Sequence, residues 1–455
     1  MTRMAPEQSR PSASEHALST RASRPAGADG PFSSPAEAAT FNSTEMATQP
    51  APSLALSPGA VVQTGPILVL AVATRLAVLA ILFSLFSPSA QIHARTEILA
   101  IGLSLAQGHG FSSPFYVPSG PTAFLAPGYP LLVAAVLRLF GFGPAAFVVI
   151  VTIQVVFSVL TVWLVLRIAH RHFNAGIANI AGCLCALSLP LATLPFLVWE
   201  TCLSSFMLLG FFAAVPLLRT RLRWTAAGAA AAATALVNPA LIPTLFGLGI
   251  WQAWRRRTTP RTAILAFLLL YGLWPARNLA VMHAWIPLRS NFGYELWMGN
   301  HASGSGEFIQ ELNPLENAVE RAQFVARGEL PFMRWKSDIA IQYIRTHPRQ
   351  FIGWTAFRIG RFWTAAWPGF VVAALFSGFA LLGLAILWRK RPDLRLYAIP
   401  LALYPLPYYI THPDGRFRNV IDPLLAILAA YALTQCIDRV QIGIRKSQNR
   451  PSLGR

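Results

Sequence analysis

The residues with the clearest potential for chemistry are carboxylates and arginines that lie beside apolar segments. The carboxylates of this kind are Glu97, Glu200, Glu295, Asp414 and Asp422. A carboxylate can take the proton of a hydroxyl group, and one held close to hydrocarbon is a functional candidate. The arginines of this kind are Arg277, Arg289, Arg416 and Arg418. Their guanidinium groups match the oxygens of a phosphate, so the pattern indicates chemistry on a hydroxyl and a phosphate group.

Each of these residues also has a simpler interpretation. A helix is predicted from about Arg95 to Gln107, and Glu97 lies in its first turn, where the helix N-terminus favours a negative charge. Glu97 is then either a surface residue that compensates the helix dipole or a base that stays ionised near neutral pH. The arginines can extend to the lipid headgroups. Tyr129, in the Pro- and Gly-rich stretch 120–130, either belongs to a structural elbow or supplies a hydroxyl at the interface.

The elements that must position these residues are membrane-spanning helices. Hydrophobic residues make up 54% of the chain and charged residues 12%, whereas a soluble domain has about 25% charged residues. The apolar residues form blocks of the length that crosses a bilayer. The blocks predict an all-α integral membrane protein with about ten spans: residues 66–86, 145–166, 176–197, 204–218, 224–236, 240–254, 263–280, 368–387, 396–410 and 420–433. Residues 224–254 also fit one kinked helix.

The basic loops orient these spans. The net charge is +19, which in a soluble protein would suggest nucleic acid; here the basic residues lie in short loops between apolar blocks, which argues against that partner. If residues 123–140 lie on the surface as an interfacial helix, all of the basic loops fall on the cytoplasmic side, as the positive-inside rule requires. These loops contain Arg167, Arg171, Arg219, Arg221, Arg223, Arg255, Arg256, Arg257, Arg261, Arg389, Lys390, Arg391 and Arg395.

The resulting organisation has three parts. Residues 1–60 are rich in Ser, Pro and Ala and predict a disordered cytoplasmic tail. Residues 61–437 predict the membrane domain, with outer segments at about 87–144, 282–367 and 411–419. Residues 438–455 predict a basic cytoplasmic tail.

Several motifs resemble those of one enzyme family. An acidic residue that opens a helix in the first outer loop is followed by SLAQGHGF (104–111) and PGYPLL (127–132). Later come LWPARN (273–278), PLRSNFGYELWMGN (287–300) and RFRNVIDPLL (416–425). In this order the motifs resemble the GT-C glycosyltransferases, which include the protein O-mannosyltransferases, the aminoarabinose transferases and the RgtA/B/C/D-like bacterial group.

The resemblance implies an inverting transfer of a sugar from a polyprenyl-phosphate donor on the non-cytoplasmic face of a bacterial inner membrane. The acceptor would be a lipid, a glycan of the cell envelope or a protein. Glu97 would be the base, and Arg416 and Arg418, with Arg277 and Arg289, would bind the donor phosphate. Glu200, Glu295 and Tyr129 would supply a second carboxylate or contacts to the acceptor.

One departure from the family pattern concerns a metal. Many relatives carry an Asp-Glu pair where this chain has Thr96 and a single Glu97. A site that needs two carboxylates for a divalent cation would then be metal-free, or Glu200 would supply the second.

Two other functions fit a protein of this composition. A transporter or flippase of a lipid-linked substrate would have broken or charged helices, for which Arg75 and the Asn238-Pro239 pair are the signals. A lipid-glycan polymerase or ligase of another fold is the third alternative.

Overall fold

The computed structural model describes residues 61–92, 96–364 and 369–448. The predicted tail 1–60 lies outside the described residues. The described residues are mainly helical, and the extended pairing among them is a single antiparallel bridge between Ser112 and Pro121. The protein is therefore all-α, as its composition predicts.

The first half of the chain contains α1 to α10. Their bounds are α1 Thr64–Leu85, α2 Pro88–Ile92, α3 Glu97–Ala106, α4 Gly128–Phe140, α5 Pro144–His172, α6 Ala175–Leu187, α7 Leu189–Thr193, α8 Thr201–Ala214, α9 Arg221–Val237 and α10 Ile242–Arg256.

The second half contains α11 to α21. Their bounds are α11 Arg261–Tyr271, α12 Leu273–Met282, α13 Phe292–Gly299, α14 Ala318–Arg327, α15 Glu329–Thr346, α16 Pro348–Thr364, α17 Phe370–Lys390, α18 Ala398–Leu403, α19 Leu406–Ile410, α20 Gly415–Asn419 and α21 Asp422–Gln448.

Among the described residues, five helices are long and apolar enough to cross a membrane: Thr64–Leu85, Pro144–His172, Arg261–Met282, Phe370–Lys390 and Asp422–Ile442. A sixth span results if α6 and the segment Leu189–Phe196, bent by 54°, count as one. The protein is thus multi-pass, but the predicted number of ten is not confirmed. The other apolar blocks form shorter helices, because prolines such as Pro239 and Pro405 interrupt them.

The structure gives the conformation of three further segments. Residues 123–140 contain α4, whose 13 residues are fewer than the roughly 20 that a span needs. Residues 224–254 form two helices, α9 and α10, separated by a 3-10 turn at Pro239–Leu241. The last helix continues to Gln448, so residues 438–448 of the predicted tail extend the helix.

The buried residues form two clusters. One joins α1, α5, α6 and α8 to α11 with α17 and α21. The other joins α3, α4 and the first turns of α5 with α13 to α15. The second cluster therefore packs the first outer segment against the large one, and the candidate site is built from residues of both.

Arg75, one of the two signals for transport, has a structural role. Its guanidinium is fully buried in α1 and donates to the carbonyl oxygens of Ala186 (2.7 Å) and Cys185 (3.1 Å), and to Ser158 Oγ (3.1 Å). A positive charge at the C-terminal end of a helix is stabilising. Arg75 thus satisfies two backbone carbonyl groups at the C-terminal end of α6, where the chain bends.

Candidate active site

Polar residues from both outer segments and the last loop line one cavity of about 800 Å³. This volume is in the range of ligand-binding clefts. The charged and imidazole side chains on its wall are Glu97, Glu200, Arg289, Glu295, His412, Asp414 and Arg416. The structure therefore brings five of the eight predicted site residues to one place: Glu97, Glu200, Arg289, Glu295 and Arg416.

Glu97 is placed by the start of α3. Thr96 caps this helix, because its hydroxyl accepts a hydrogen bond from the Leu99 backbone N–H at 3.2 Å. Glu97 is therefore the first helical residue, and its side chain is 7% exposed. Asn313 Nδ2 donates to Glu97 Oε1 at 3.1 Å.

Burial raises the pKa of Glu97, and the hydrogen bonds from Asn313 and from its own backbone N–H oppose this shift less strongly. The charge of Glu295 raises this pKa further and that of Arg416 lowers it, so both lie within electrostatic reach of Glu97. The helix N-terminus alone had suggested a carboxylate that is readily ionised. In the structure, loss of hydration disfavours the charged form and opposes this effect of the helix N-terminus.

Glu295, which is partly exposed, and His412, which is buried, form a pair on the cavity wall. Glu295 Oε2 lies 2.7 Å from His412 Nε2, and Asn291 Nδ2 donates to Glu295 Oε1 at 2.7 Å. Helix α13 and the His412 loop approach each other closely, because a Cβ on Gly299 would overlap the Thr411 carbonyl oxygen. Only glycine fits at this contact.

Arg416 lies over an aromatic ring. Its guanidinium carbon lies 3.5 Å from the centroid of Trp199, and its Nε lies 2.9 Å from Asp414 Oδ2 without hydrogen-bond alignment. This cation–π contact positions the guanidinium group. Among the described residues, no hydrogen-bond partner occupies its two Nη groups, so they are available to an anion in the cavity.

Arg289 and Glu200 form a loose ion pair. Arg289 Nη2 lies 3.5 Å from Glu200 Oε1, and both side chains are partly exposed. Arg289 Nε is buried and has no hydrogen-bond partner among the described residues. This second guanidinium thus also has a donor to spare at the cavity.

Arg418 does not reach the cavity. Its side chain is 2% exposed, and its Nε donates to Asp422 Oδ1 at 2.8 Å. Its Nη1 donates to the Trp363 carbonyl at 2.9 Å and to Ser377 Oγ at 3.1 Å. These contacts join α16, α17, α20 and α21, so the geometry gives Arg418 a packing role.

Arg277 and Tyr129 also lie away from the cavity wall. Arg277 donates to the carbonyl oxygens of Thr122 (2.7 Å) and Phe111 (2.8 Å), which fixes the loop after α3. Tyr129 is 1% exposed, and its hydroxyl has no hydrogen-bond partner among the described residues. Burial raises the pKa of Tyr129 well above its usual value.

Three residues of the site carried no clear signal in the sequence. Asn313 lies in a polar loop, Trp199 lies at the end of an apolar block, and His412 is a single histidine in a short loop. Only their contacts with Glu97, Arg416 and Glu295 distinguish them. A buried Glu329 was also missed; it accepts hydrogen bonds from the Ala123 N–H (2.8 Å), Ser290 Oγ (2.6 Å) and Thr122 Oγ1, and so ties the two outer segments together.

The described residues offer no cluster of metal ligands. No group of three or more His, Cys, Asp or Glu side chains among them could hold a metal ion. The carboxylates of the cavity are engaged by side-chain donors instead: Glu97 by Asn313, Glu295 by His412 and Asn291, and Glu200 by Arg289.

Comparisons with known proteins gave structural matches but no sequence match. No family model and no curated protein sequence matches the chain. The Archaeoglobus fulgidus oligosaccharyltransferase, in complex with Zn and sulfate, is similar with a TM-score of 0.46 and 16% identity over 83% of this chain and 50% of that one. This chain thus spans about half the length of the oligosaccharyltransferase. ArnT from Cupriavidus metallidurans, bound to undecaprenyl phosphate, is similar with a TM-score of 0.34 and 13% identity over 86% of this chain and 82% of that one.

The TM-scores of these matches are below 0.5. At such TM-scores and identities they say nothing of the activity of this chain, which is argued below from its own residues.

Proposed function

We propose that the protein is a membrane glycosyltransferase that moves a sugar from a polyprenyl-phosphate donor to a hydroxyl acceptor. The observation that carries the proposal is the presence of Glu97 and Arg416 on the wall of one cavity, close enough for the charge of Arg416 to lower the pKa of Glu97. A base for the acceptor and a cation for the leaving group are the two parts that such a transfer needs.

In the proposed reaction, Glu97 takes the proton of the acceptor hydroxyl as its oxygen attacks the anomeric carbon of the sugar. The bond between that carbon and the phosphate oxygen breaks, and the polyprenyl phosphate leaves with the electron pair. Attack opposite to the leaving group inverts the anomeric centre. The proton remains on Glu97 until the product departs.

The cavity supplies what each step requires. Burial raises the pKa of Glu97, and a carboxylate of higher pKa is a stronger base nearer to neutral pH. Arg416 is positioned over the Trp199 ring and presents free Nη donors, which suit two phosphate oxygens at once. Arg289 is the second cation.

The Glu295–His412 pair is the second candidate for the base. Glu295 Oε2 and His412 Nε2 lie 2.7 Å apart on the same cavity wall. A histidine oriented by a carboxylate is a common proton acceptor. We assign this pair to the acceptor contact and Glu97 to proton removal, because Glu97 also has the acidic position of the family motif.

The test uses purified protein in proteoliposomes with lipid-linked sugars extracted from the host membrane. We expect sugar to appear on an acceptor and polyprenyl phosphate to be released, both measured by mass spectrometry, and both to be lost with Glu97→Gln. Movement of intact lipid-linked sugar across the bilayer without release of polyprenyl phosphate would show a flippase instead. Loss of activity with His412→Ala but not with Glu97→Gln would transfer the role of the base to the pair.

A further inference from the structure

A second polar cavity lies at the other end of the helices that carry the candidate active site. It measures about 300 Å³. Asn238, before α10, lines the first cavity, whereas Gln252 and Arg256, at the end of α10, line the second. At 1.5 Å per helical residue, the two cavities are about 20 Å apart along this element. The second cavity thus belongs to the membrane face opposite to the proposed transfer.

The wall of the second cavity is dominated by guanidinium groups. Arg171 comes from the end of α5, Arg255 and Arg256 from the end of α10, and Arg391 from the turn after α17. The carboxylate of Asp393 is the single acidic group among the lining residues. Four cations from three separate elements therefore surround one carboxylate.

The carboxylate of Asp393 is already paired with an arginine. Arg391 binds it in a bidentate pair, with Nε 3.1 Å from Oδ1 and Nη2 2.9 Å from Oδ2. Arg255 Nη1 donates to the backbone carbonyl of Asp393 at 2.9 Å and not to its side chain. Arg171 and Arg256 have no acidic partner among the described residues, so the cavity keeps an excess of positive charge.

A buried amide points to a ligand independently of these charges. Gln252 is 5% exposed and lines the cavity, and its Nε2 has no hydrogen-bond partner among the described residues. An unsatisfied buried donor is costly and calls for an acceptor. Basic loops on one side of a membrane explain why arginines occur here, but they do not explain an unsatisfied buried amide on a residue that lines the same cavity.

We propose that this cavity binds a phosphate group at the membrane surface opposite to the proposed active site. Phosphate is the acceptor that the donors fit, because guanidinium forks bind two of its oxygens and the Gln252 amide can bind a third. The headgroup of an anionic phospholipid and free inorganic phosphate share this chemistry. The inference does not depend on the proposed transferase activity.

The experiment measures phosphate binding to the full chain by native mass spectrometry and thermal shift. One arm adds inorganic phosphate to protein in neutral detergent. The other arm takes the protein out of nanodiscs made of either phosphatidylglycerol or phosphatidylcholine and measures which lipid stays bound. We expect one phosphate-bearing ligand per chain in at least one arm; retention only of phosphatidylglycerol identifies a lipid headgroup, and binding of inorganic phosphate identifies a soluble anion.

Three variants test the site itself. Arg256→Gln and Arg255→Gln should each weaken binding about tenfold or more, because each removes a charge-assisted contact. Gln252→Leu should weaken binding while it keeps or raises the melting temperature of the ligand-free protein, since it removes an unsatisfied donor. Arg261→Gln is the matched control, because Arg261 is an exposed arginine of the same loop that does not line the cavity.

Two results would overturn the proposal. One is wild-type affinity in all three cavity variants. The other is an equal loss in Arg261→Gln, which would reduce the effect to the general charge of the loop. Should Arg256→Gln fail to fold, Arg256→Lys keeps the charge without the fork and should still bind several-fold more weakly.

Discussion

Asn313 Nδ2 donates a hydrogen bond to Glu97 Oε1 at 3.1 Å, between two residues that are 216 positions apart in the chain. Both side chains are buried. The contact joins the start of α3 to the large outer segment. It orients the carboxylate that we propose as the base, and it opposes the effect of burial on the pKa of Glu97.

The first prediction concerns the charge of Glu97. Glu97→Gln keeps the size of the side chain and removes the proton-accepting charge, so sugar transfer should fall by a factor of about 100 to 10,000. The melting temperature should stay the same or rise, because the ionised carboxylate is costly to bury. Activity in proteoliposomes and thermal unfolding measure the two effects. Glu311→Gln, an exposed residue that does not line the cavity, is the control and should leave both unchanged.

The pH dependence of transfer should move in opposite directions in two variants. Glu97 accepts a proton only when ionised, so activity should rise with pH through the raised pKa of Glu97. Asn313→Leu removes a contact that lowers this pKa, and the acidic limb should shift to higher pH. Glu295→Gln removes a charge that raises this pKa, and the limb should shift to lower pH. Profiles of kcat/KM report these groups in the free enzyme; shifts in the same direction for both variants would be inconsistent with Glu97 as the titrating base.

Substitutions of Arg416 and Arg418 should have different effects, one on transfer and the other on stability. Arg416→Ala should lower transfer about a hundredfold, the equivalent of roughly 3 kcal/mol, with little loss of stability, and Arg416→Lys should restore part of it. Arg418→Ala leaves Asp422 buried without its cation, which typically costs about 3–5 kcal/mol. It should therefore lower the melting temperature. Near-normal transfer by Arg416→Ala, measured by release of polyprenyl phosphate, would mean that Arg416 only contacts lipid headgroups.

Gly299 should tolerate no side chain. Gly299→Ala places a Cβ on the Thr411 carbonyl oxygen and forces the His412 loop away from α13, at a cost of about 1–3 kcal/mol. The melting temperature and transfer should both fall. Gly353→Ala in α16 meets no atom within 4 Å and is the control; it should be neutral or slightly stabilising. Equal stability of the two variants would show that the loop adjusts freely.

The orientation of the chain is testable by cysteine labelling in a background without native cysteines. Thr220 and Glu316 are both exposed, and the positive-inside rule predicts that they lie on opposite sides of the membrane. An impermeant thiol reagent added to intact cells should label Glu316→Cys and not Thr220→Cys. Labelling of Thr220→Cys from outside would reverse the topology and would place the second cavity on the outer face.

The sequence by itself determined the class of the protein and the local position of Glu97. Its apolar blocks and low charge require helices in a membrane, since a spanning chain must satisfy its backbone internally. Thr96 and Glu97 both favour the start of a helix, and α3 begins at Glu97, two residues after the predicted start at about Arg95. The number of spans was predicted less well, because prolines divide apolar blocks whose composition alone suggests continuous helices.

Only the tertiary structure decided which charged residues meet. Arg416 and Arg418 are two positions apart on one short helix, and such residues do not face the same side. Composition and spacing do not distinguish the two residues. In the folded protein, Arg416 contacts Trp199 at the cavity and Arg418 contacts Asp422 in the core. Asn313 and His412 join the site through contacts across more than a hundred residues. Their roles depend on how the outer segments pack against each other, which no local pattern encodes.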